Sequence, residues 1–282
     1  MRSSEDLKKI ASQVRRDIVK MVTVAKSGHP GGSMSCADFL TALYFNVMDT
    51  DPAKWTRDGK NQDVFFLSAG HLTPVYYSLL ARTGFFPVSE LATFRKFGTR
   101  LQGHPSVEKG LPGITQTSGS LGQGLSAAIG VALAKKLDKD PKSVYVMCGD
   151  GESEEGQIWE AGMFAAHHKV DNLVAMTDWN GQQIDGSVES VAGLGDLEAK
   201  WKAFGWDVIV VADGHDMDQI LAAFDAAKAK KGHGKPVMIL FKTEMGHGVD
   251  FMAGTHKWHG NAPSEEQCAA ALGQLEETLG DF

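Results

Sequence analysis

The chain has 282 residues, 43% hydrophobic and 22% charged, with a formal net charge of −7. That size suits one large globular domain or two small ones, and an acidic balance without basic patches interleaved with aromatics excludes the usual nucleic-acid footprint. Cys36, Cys148 and Cys268 are odd in number and far apart, which excludes a disulfide framework and a CxxC metal site; no apolar run or leader suggests a membrane span or signal, so a cytoplasmic protein is expected.

Apolar residues recur three and four apart over residues 4–26 (Leu7, Ile10, Val14, Ile18, Met21, Val22), the pattern of an amphipathic helix, with Ser4 as its expected N-cap and Gly28 as its stop. Val64–Leu67 reads as a short buried strand that runs into Ser68-Ala69-Gly70-His71. Leu121–Leu137 is Ala-rich and helical. Ser143–Cys148 is a second strand, Ile158–His168 a helix and Asn172–Thr177 a third strand. Two more strands, Asp207–Val211 and Pro236–Phe241, flank a helix over Met217–Lys230. The alternation predicts an α/β fold with a mainly parallel sheet flanked by helices, and residues 60 to 245 as one domain. Its glycine-rich loops follow strands, where open α/β sheets bind ligands.

Asp150 stands between two glycines at the end of a strand, and Asp178-Trp179-Asn180 follows the next strand. If the two strands are neighbours in a parallel sheet, both loops open on one edge. A carboxylate, an amide oxygen and a loop carbonyl are hard ligands suited to magnesium or calcium, with phosphate oxygens and water completing the shell. Each residue alone is better read as an ordinary turn residue at a strand end. Two other motifs fail. Asp178 to Glu189 spaces its oxygens like a calcium loop, but Gln183 stands where that loop needs glycine. Gly122-Gln123-Gly124 with Ala127 fits a dinucleotide fingerprint, but Gly113–Ser118 before it is no hydrophobic strand.

Taken together, Gly149-Asp150-Gly151 and Asp178-Trp179-Asn180 resemble the thiamin-diphosphate motif, a GDG triplet followed by a metal-binding asparagine; Trp179 departs from the acidic or amide residue usual there. Further segments resemble transketolase: Ser27-Gly28-His29-Pro30-Gly31, Ser68-Ala69-Gly70-His71, Gly103-His104-Pro105, Thr117–Gly124 and Thr255–Gly260, in the family's order from about residue 15 to 262. The resemblance implies a thiamin-diphosphate-binding fold of the diphosphate type. It also implies a metal ion (Mg²⁺ or Ca²⁺) held by Asp150, Asn180 and the Gln182 carbonyl. Cofactor contacts would come from His71, Gly119, Ser120, Leu121, Gly151, Glu155, Asn180 and His259. His29, His104 and His259 would be the catalytic residues, binding substrate oxygens and moving protons. Glu155 matches a glutamate at the family's subunit interface; its plain alternative is a capping carboxylate at a helix start. His167, His168, His215, His233 and His247 read as structural or surface residues, and a zinc pair at His256 and His259 lacks a third ligand.

The implied activity moves a two-carbon ketol unit from a ketose phosphate to an aldose phosphate, pentose-phosphate sugars being the default, with thiamin diphosphate as electron sink. Residues 1–282 are expected to form the diphosphate-binding domain, with an N-terminal helical segment and a C-terminal extension. The family's pyrimidine-binding and C-terminal domains are expected to be absent from this chain. The resemblance therefore implies a split enzyme whose partner is a C-terminal transketolase subunit, two copies of each chain forming a heterotetramer. Alternatives are a subunit of a 2-oxo-acid dehydrogenase or deoxyxylulose-phosphate synthase, a non-catalytic scaffold subunit, and, more distantly, a nicotinamide dehydrogenase.

Overall fold

The computed structural model describes residues 1–282. Helix α1 (Ser4–Ala25) forms on the expected stripe, with Leu7, Ile10, Val14, Ile18, Met21 and Val22 all buried. Its cap is Ser3, not Ser4: the Ser3 hydroxyl accepts from the Asp6 amide and the Asp6 carboxylate reaches back, a capping box. The helix stops at Lys26, which takes a left-handed conformation, two residues before Gly28. Gly28 serves the next turn, at a φ of +143° where a Cβ would lie 2.9 Å from Val22 Cγ2.

The short helices α2 (Pro30–Ser35) and α3 (Ala37–Ala42) follow, then β1 (Val64–Leu67), α4 (Thr73–Arg82), α5 (Gln123–Leu137), β2 (Val144–Gly149), α6 (Gly156–His167) and β3 (Leu173–Trp179). A two-residue hairpin, β4 (Gln182–Gln183) and β5 (Gly186–Ser187), leads to α7 (Val188–Ala192) and α8 (Leu197–Ala203). The chain closes with β6 (Asp207–Val211), α9 (Met217–Ala229), β7 (Val237–Lys242) and α10 (Glu265–Gln274). All five expected strands form within two residues of their predicted bounds. No strand leads directly into Gly122, which disposes of the dinucleotide fingerprint.

The five long strands make one sheet in the order β1-β2-β3-β7-β6, and every pairing is parallel. The chain leaves β3 for the far edge at β6 and returns to β7 beside β3, so the C-terminal edges of β1, β2, β3 and β7 lie next to one another. Both faces of the sheet are covered, as an all-parallel sheet requires. Phe65, Leu67, Tyr145, Met147, Val174, Met176, Ile239 and Phe241 point into the larger core with α1, α3, α4 and α9. Their neighbours Val64, Phe66, Val144, Val146, Leu173, Ala175, Met238 and Leu240 point into the smaller core with α5, α6 and α8. The period of two in side-chain direction thus assigns alternate residues to the two cores. Phe39 of α3 stacks on Phe241 of β7 with ring centroids 4.4 Å apart. In the larger core Asp17, fully buried, is gripped by Arg82 (Nη2 to Oδ1, 2.8 Å) and by the Ser78 hydroxyl.

Candidate active site

The loops at the C-terminal edge enclose a cavity of about 300 Å³. Strand pairing places Gly149 beside Asp178, and the Asp150 amide donates to the Asp178 carbonyl at 3.2 Å, so the two motif segments are neighbours as expected. Asp150 is almost wholly buried; its Oδ1 accepts from the Gly151 amide (2.8 Å) and its Oδ2 from the Gly181 amide (2.6 Å). Asp178, also buried, accepts from the hydroxyls of Ser35 and Thr243 and from Asn180 Nδ2 at 2.8 Å. That last bond fixes which way the Asn180 amide faces, leaving its Oδ1 to accept from the Gln182 amide at 2.9 Å. Burial, and then the charge of Asp178, pushes the Asp150 carboxyl up to about 7; burial raises Asp178 as well. Two buried carboxylates that each resist ionisation, beside amide and carbonyl oxygens, form a hard donor set whose charge a divalent cation would neutralise. Asp150, Gly151, Asn180 and Gln182 all line the cavity.

The opposite end of the cavity is built of imidazoles. His29 lies at the start of α2, His71 in the turn after β1, His104 in the long β1–α5 connection and His259 after β7. Ring centroids of His29 lie 4.9 Å from His71, 5.5 Å from His259 and 6.4 Å from His104. Burial lowers all four, His29 to about 4, helped by its neighbours His259, Arg95 and His104. All four are therefore neutral at pH 7. Nδ1 of His29 and Nδ1 of His259 are themselves buried and make no hydrogen bond to the protein.

Gly119 and Leu121 also line the cavity, whereas Ser120 and Glu155 are exposed and do not. Gly119 packs against His104, where an added Cβ would sit 3.3 Å from the ring. Glu155 occupies the N-cap position of α6, but its side chain makes no capping hydrogen bond.

Sequence reasoning passed over three residues. Glu152, buried at the foot of the cavity, accepts from the Ser68 hydroxyl and from the amides of Gly122 (2.9 Å) and Gly149 (3.1 Å). One carboxylate thereby joins the loops after β1, before α5 and after β2. Asp178 was visible only as the first letter of a motif, not as the residue that orients Asn180. Arg95 lies outside every matched segment. The signal for Glu152 was its place two residues after Asp150, which reads equally well as a helix-start carboxylate.

Asp38, His215 and His247 bring ligand-type atoms within 4.8 Å of one another. They form a brace instead of a metal centre. Both terminal nitrogens of Arg15 hold Asp38, His215 Nδ1 donates to Asp38 Oδ2 (2.8 Å), and His215 Nε2 accepts from the Glu244 amide (3.0 Å). Neither nitrogen of His215 is left for an ion. The brace holds the segment after β7, whose Gly246 amide donates to the Gly31 carbonyl at 3.0 Å, behind His29.

A parallel sheet with a GDG loop and an asparagine loop at adjacent strand ends, facing clustered histidines, defines a thiamin-diphosphate-binding domain. The family described as "Transketolase, thiamine diphosphate binding domain" matches residues 7–277, and the chain belongs to it. The chain is 43% identical to a 6-deoxy-6-sulfo-D-fructose transketolase subunit of Clostridium sp., over 96% of this chain and 97% of that one. It is 39% identical to an apulose-4-phosphate transketolase subunit of Phocaeicola vulgatus, over 98% of this chain and 95% of that one. Transketolase from Leishmania mexicana superposes with a TM-score of 0.89 at 32% identity, covering all of this chain but only 43% of that enzyme.

Proposed function

We propose that this chain is the diphosphate-binding subunit of a split transketolase, transferring a two-carbon ketol unit between sugar phosphates with thiamin diphosphate and a divalent cation. The observation that carries the reading is one cavity that joins the buried Asp150 and part-buried Asn180 to four histidines that burial keeps neutral. The chain is also matched almost end to end by two transketolase subunits, while it spans less than half of a single-chain transketolase.

Asp150, Asn180 and the Gln182 carbonyl would hold the cation, with Gly151 against the diphosphate and His71, Gly119, Leu121 and His259 around the rest of the cofactor. Bound there, thiamin diphosphate supplies the carbon nucleophile and electron sink for breaking the sugar's carbon–carbon bond. His29, His104 and His259 face the sugar. As neutral imidazoles each can accept a proton from a hydroxyl or donate one to a developing alkoxide.

A second chain would complete the enzyme. Its support is apolar surface left open on α5 and α6, where Leu137, Met163 and Phe164 are 84%, 56% and 47% exposed. We assign the partner the pyrimidine-binding half of the enzyme, in a cytoplasmic assembly with two copies of each chain. Tagged recovery of the chain from its host, with the co-purifying protein identified by mass, tests this. A stoichiometric partner whose mixture with this chain moves a ketol unit between sugar phosphates, where neither chain alone does so, is the expected result. A mixture that instead decarboxylates 2-oxo acids, or a chain active without a partner, would overturn it.

A further inference from the structure

Arg95 is built into the molecule in an unusual way. Its backbone sits in the left-handed region at φ 57°, its amide donates to the Leu101 carbonyl (2.9 Å), and the 95–101 loop closes on itself. The side chain turns back under the histidines. Nη1 donates to the Ser27 hydroxyl at 2.7 Å and Nη2 reaches the Gly103 carbonyl at 3.4 Å. The guanidinium lies so close to Gly103 that a Cβ there would be 2.7 Å from Cζ. Ser27 is two residues before His29, and Gly103 directly precedes His104. No carboxylate faces Arg95, and its buried Nε has no partner. A half-buried cation held only by neutral acceptors costs stability, and such arrangements concentrate at functional sites.

We propose that Arg95 is a positioning residue for the ketol transfer: its guanidinium bolts the His29 and His104 loops together and keeps an uncancelled positive charge behind both imidazoles. This rests on the transketolase reading above. The groups facing His29 are His71, His104, His259 and Arg95; Arg95 is also the charged group that acts on His104, and Asp185 acts only on His259. Burial is the first cause that holds His29 and His104 below their ordinary range, and Arg95 adds to it at both. The planar fork can bond both loops at once, whereas a lysine would supply the charge at a single point.

The test is a histidine titration by NMR on the whole chain with ¹³C-labelled imidazoles, assigned with His29→Asn and His104→Asn. In Arg95→Met, His104 is expected to titrate about half a pH unit higher, and His29 to move the same way. Arg95→Lys is expected to keep both near their wild-type positions. Arg95→Gln, which retains hydrogen-bonding capacity without charge, reads the same shift if the methionine variant does not fold. In the assembled two-chain enzyme, Arg95→Met should lower kcat/KM by about tenfold and move the acid limb of its pH profile upward. Unchanged titrations in a folded, uncharged variant would overturn the role of Arg95. An assembled wild-type enzyme without ketol transfer would instead overturn the activity reading and leave the titration result standing.

Discussion

The two ends of the cavity are built on opposite plans. At the carboxylate end nearly every polar side chain is already held: Asp150 by two amides, Asp178 by two hydroxyls and an amide, Glu152 by a hydroxyl and two amides. At the histidine end four rings crowd together, and buried ring nitrogens of His29 and His259 have no partner. The first plan suits a resident group that must be placed the same way at every turnover, because oriented donors need no rearrangement when it binds. The second, a cluster of imidazoles that burial keeps neutral, suits a substrate that comes and goes. Preorganisation is thus concentrated around the cofactor, and adaptability around the sugar.

The severest challenge to that division is to remove a donor from the held end. Asp150→Ala is expected to weaken magnesium-dependent binding of thiamin diphosphate at least about 100-fold, since even outer-shell changes at metal sites cost 10–100-fold. Without metal the substitution has opposing effects, because the Gly151 and Gly181 amides lose their acceptor while a carboxylate that burial and Asp178 oppose is removed. The effect is therefore read from ligand binding. Thermal melts with and without magnesium and cofactor check this: the ligand-induced rise, measured from each protein's own ligand-free midpoint, should vanish in the variant. A full ligand-induced rise in the variant would remove Asp150 from the donor set.

Glu152 tests the same end through stability. In Glu152→Ala the buried amides of Gly122 and Gly149 lose their acceptor, at about 1–3 kcal/mol each, so a loss of about 2–4 kcal/mol is expected in urea unfolding. Glu152→Gln keeps one acceptor oxygen and should fall between the two. If the alanine variant unfolds at the wild-type midpoint, the three loops are not joined by this carboxylate.

How much of this was legible beforehand follows from the range of the interactions. The five strands were readable because Val144–Cys148 or Val237–Phe241 are continuous apolar runs, as strands buried on both faces must be. The helix stripe of α1 was readable for the same local reason, although its cap was misplaced by one residue, because Ser3 and Ser4 are chemically equal candidates and only the reciprocal bond with Asp6 separates them. The site residues came from motif resemblance, and most of them line the cavity. What stayed hidden depends on contacts between distant segments. Glu152 acts through Ser68 and Gly122, Asp38 through Arg15 and His215, and Arg95 through Ser27 and Gly103. No local pattern encodes a carboxylate whose partners lie 30 and 84 residues away.

A subtler effect refines the picture of the histidine end. His29 is held near 4 in the folded chain against an ordinary value of 6.5, so between those values the unfolded chain binds more protons than the folded one. Stability must then rise with pH across that window and be lost as pH falls towards 4; the slope fades only well above 6.5, where the residue is neutral in both states. His71, His104 and His259 are lowered in the same direction and add to the same slope. His29→Asn removes one contributor. Its urea midpoint should therefore fall less than that of wild type between pH 7 and pH 5, with the two curves running parallel above pH 7. An equal fall in both proteins would mean that His29 protonates as freely in the folded chain as in water.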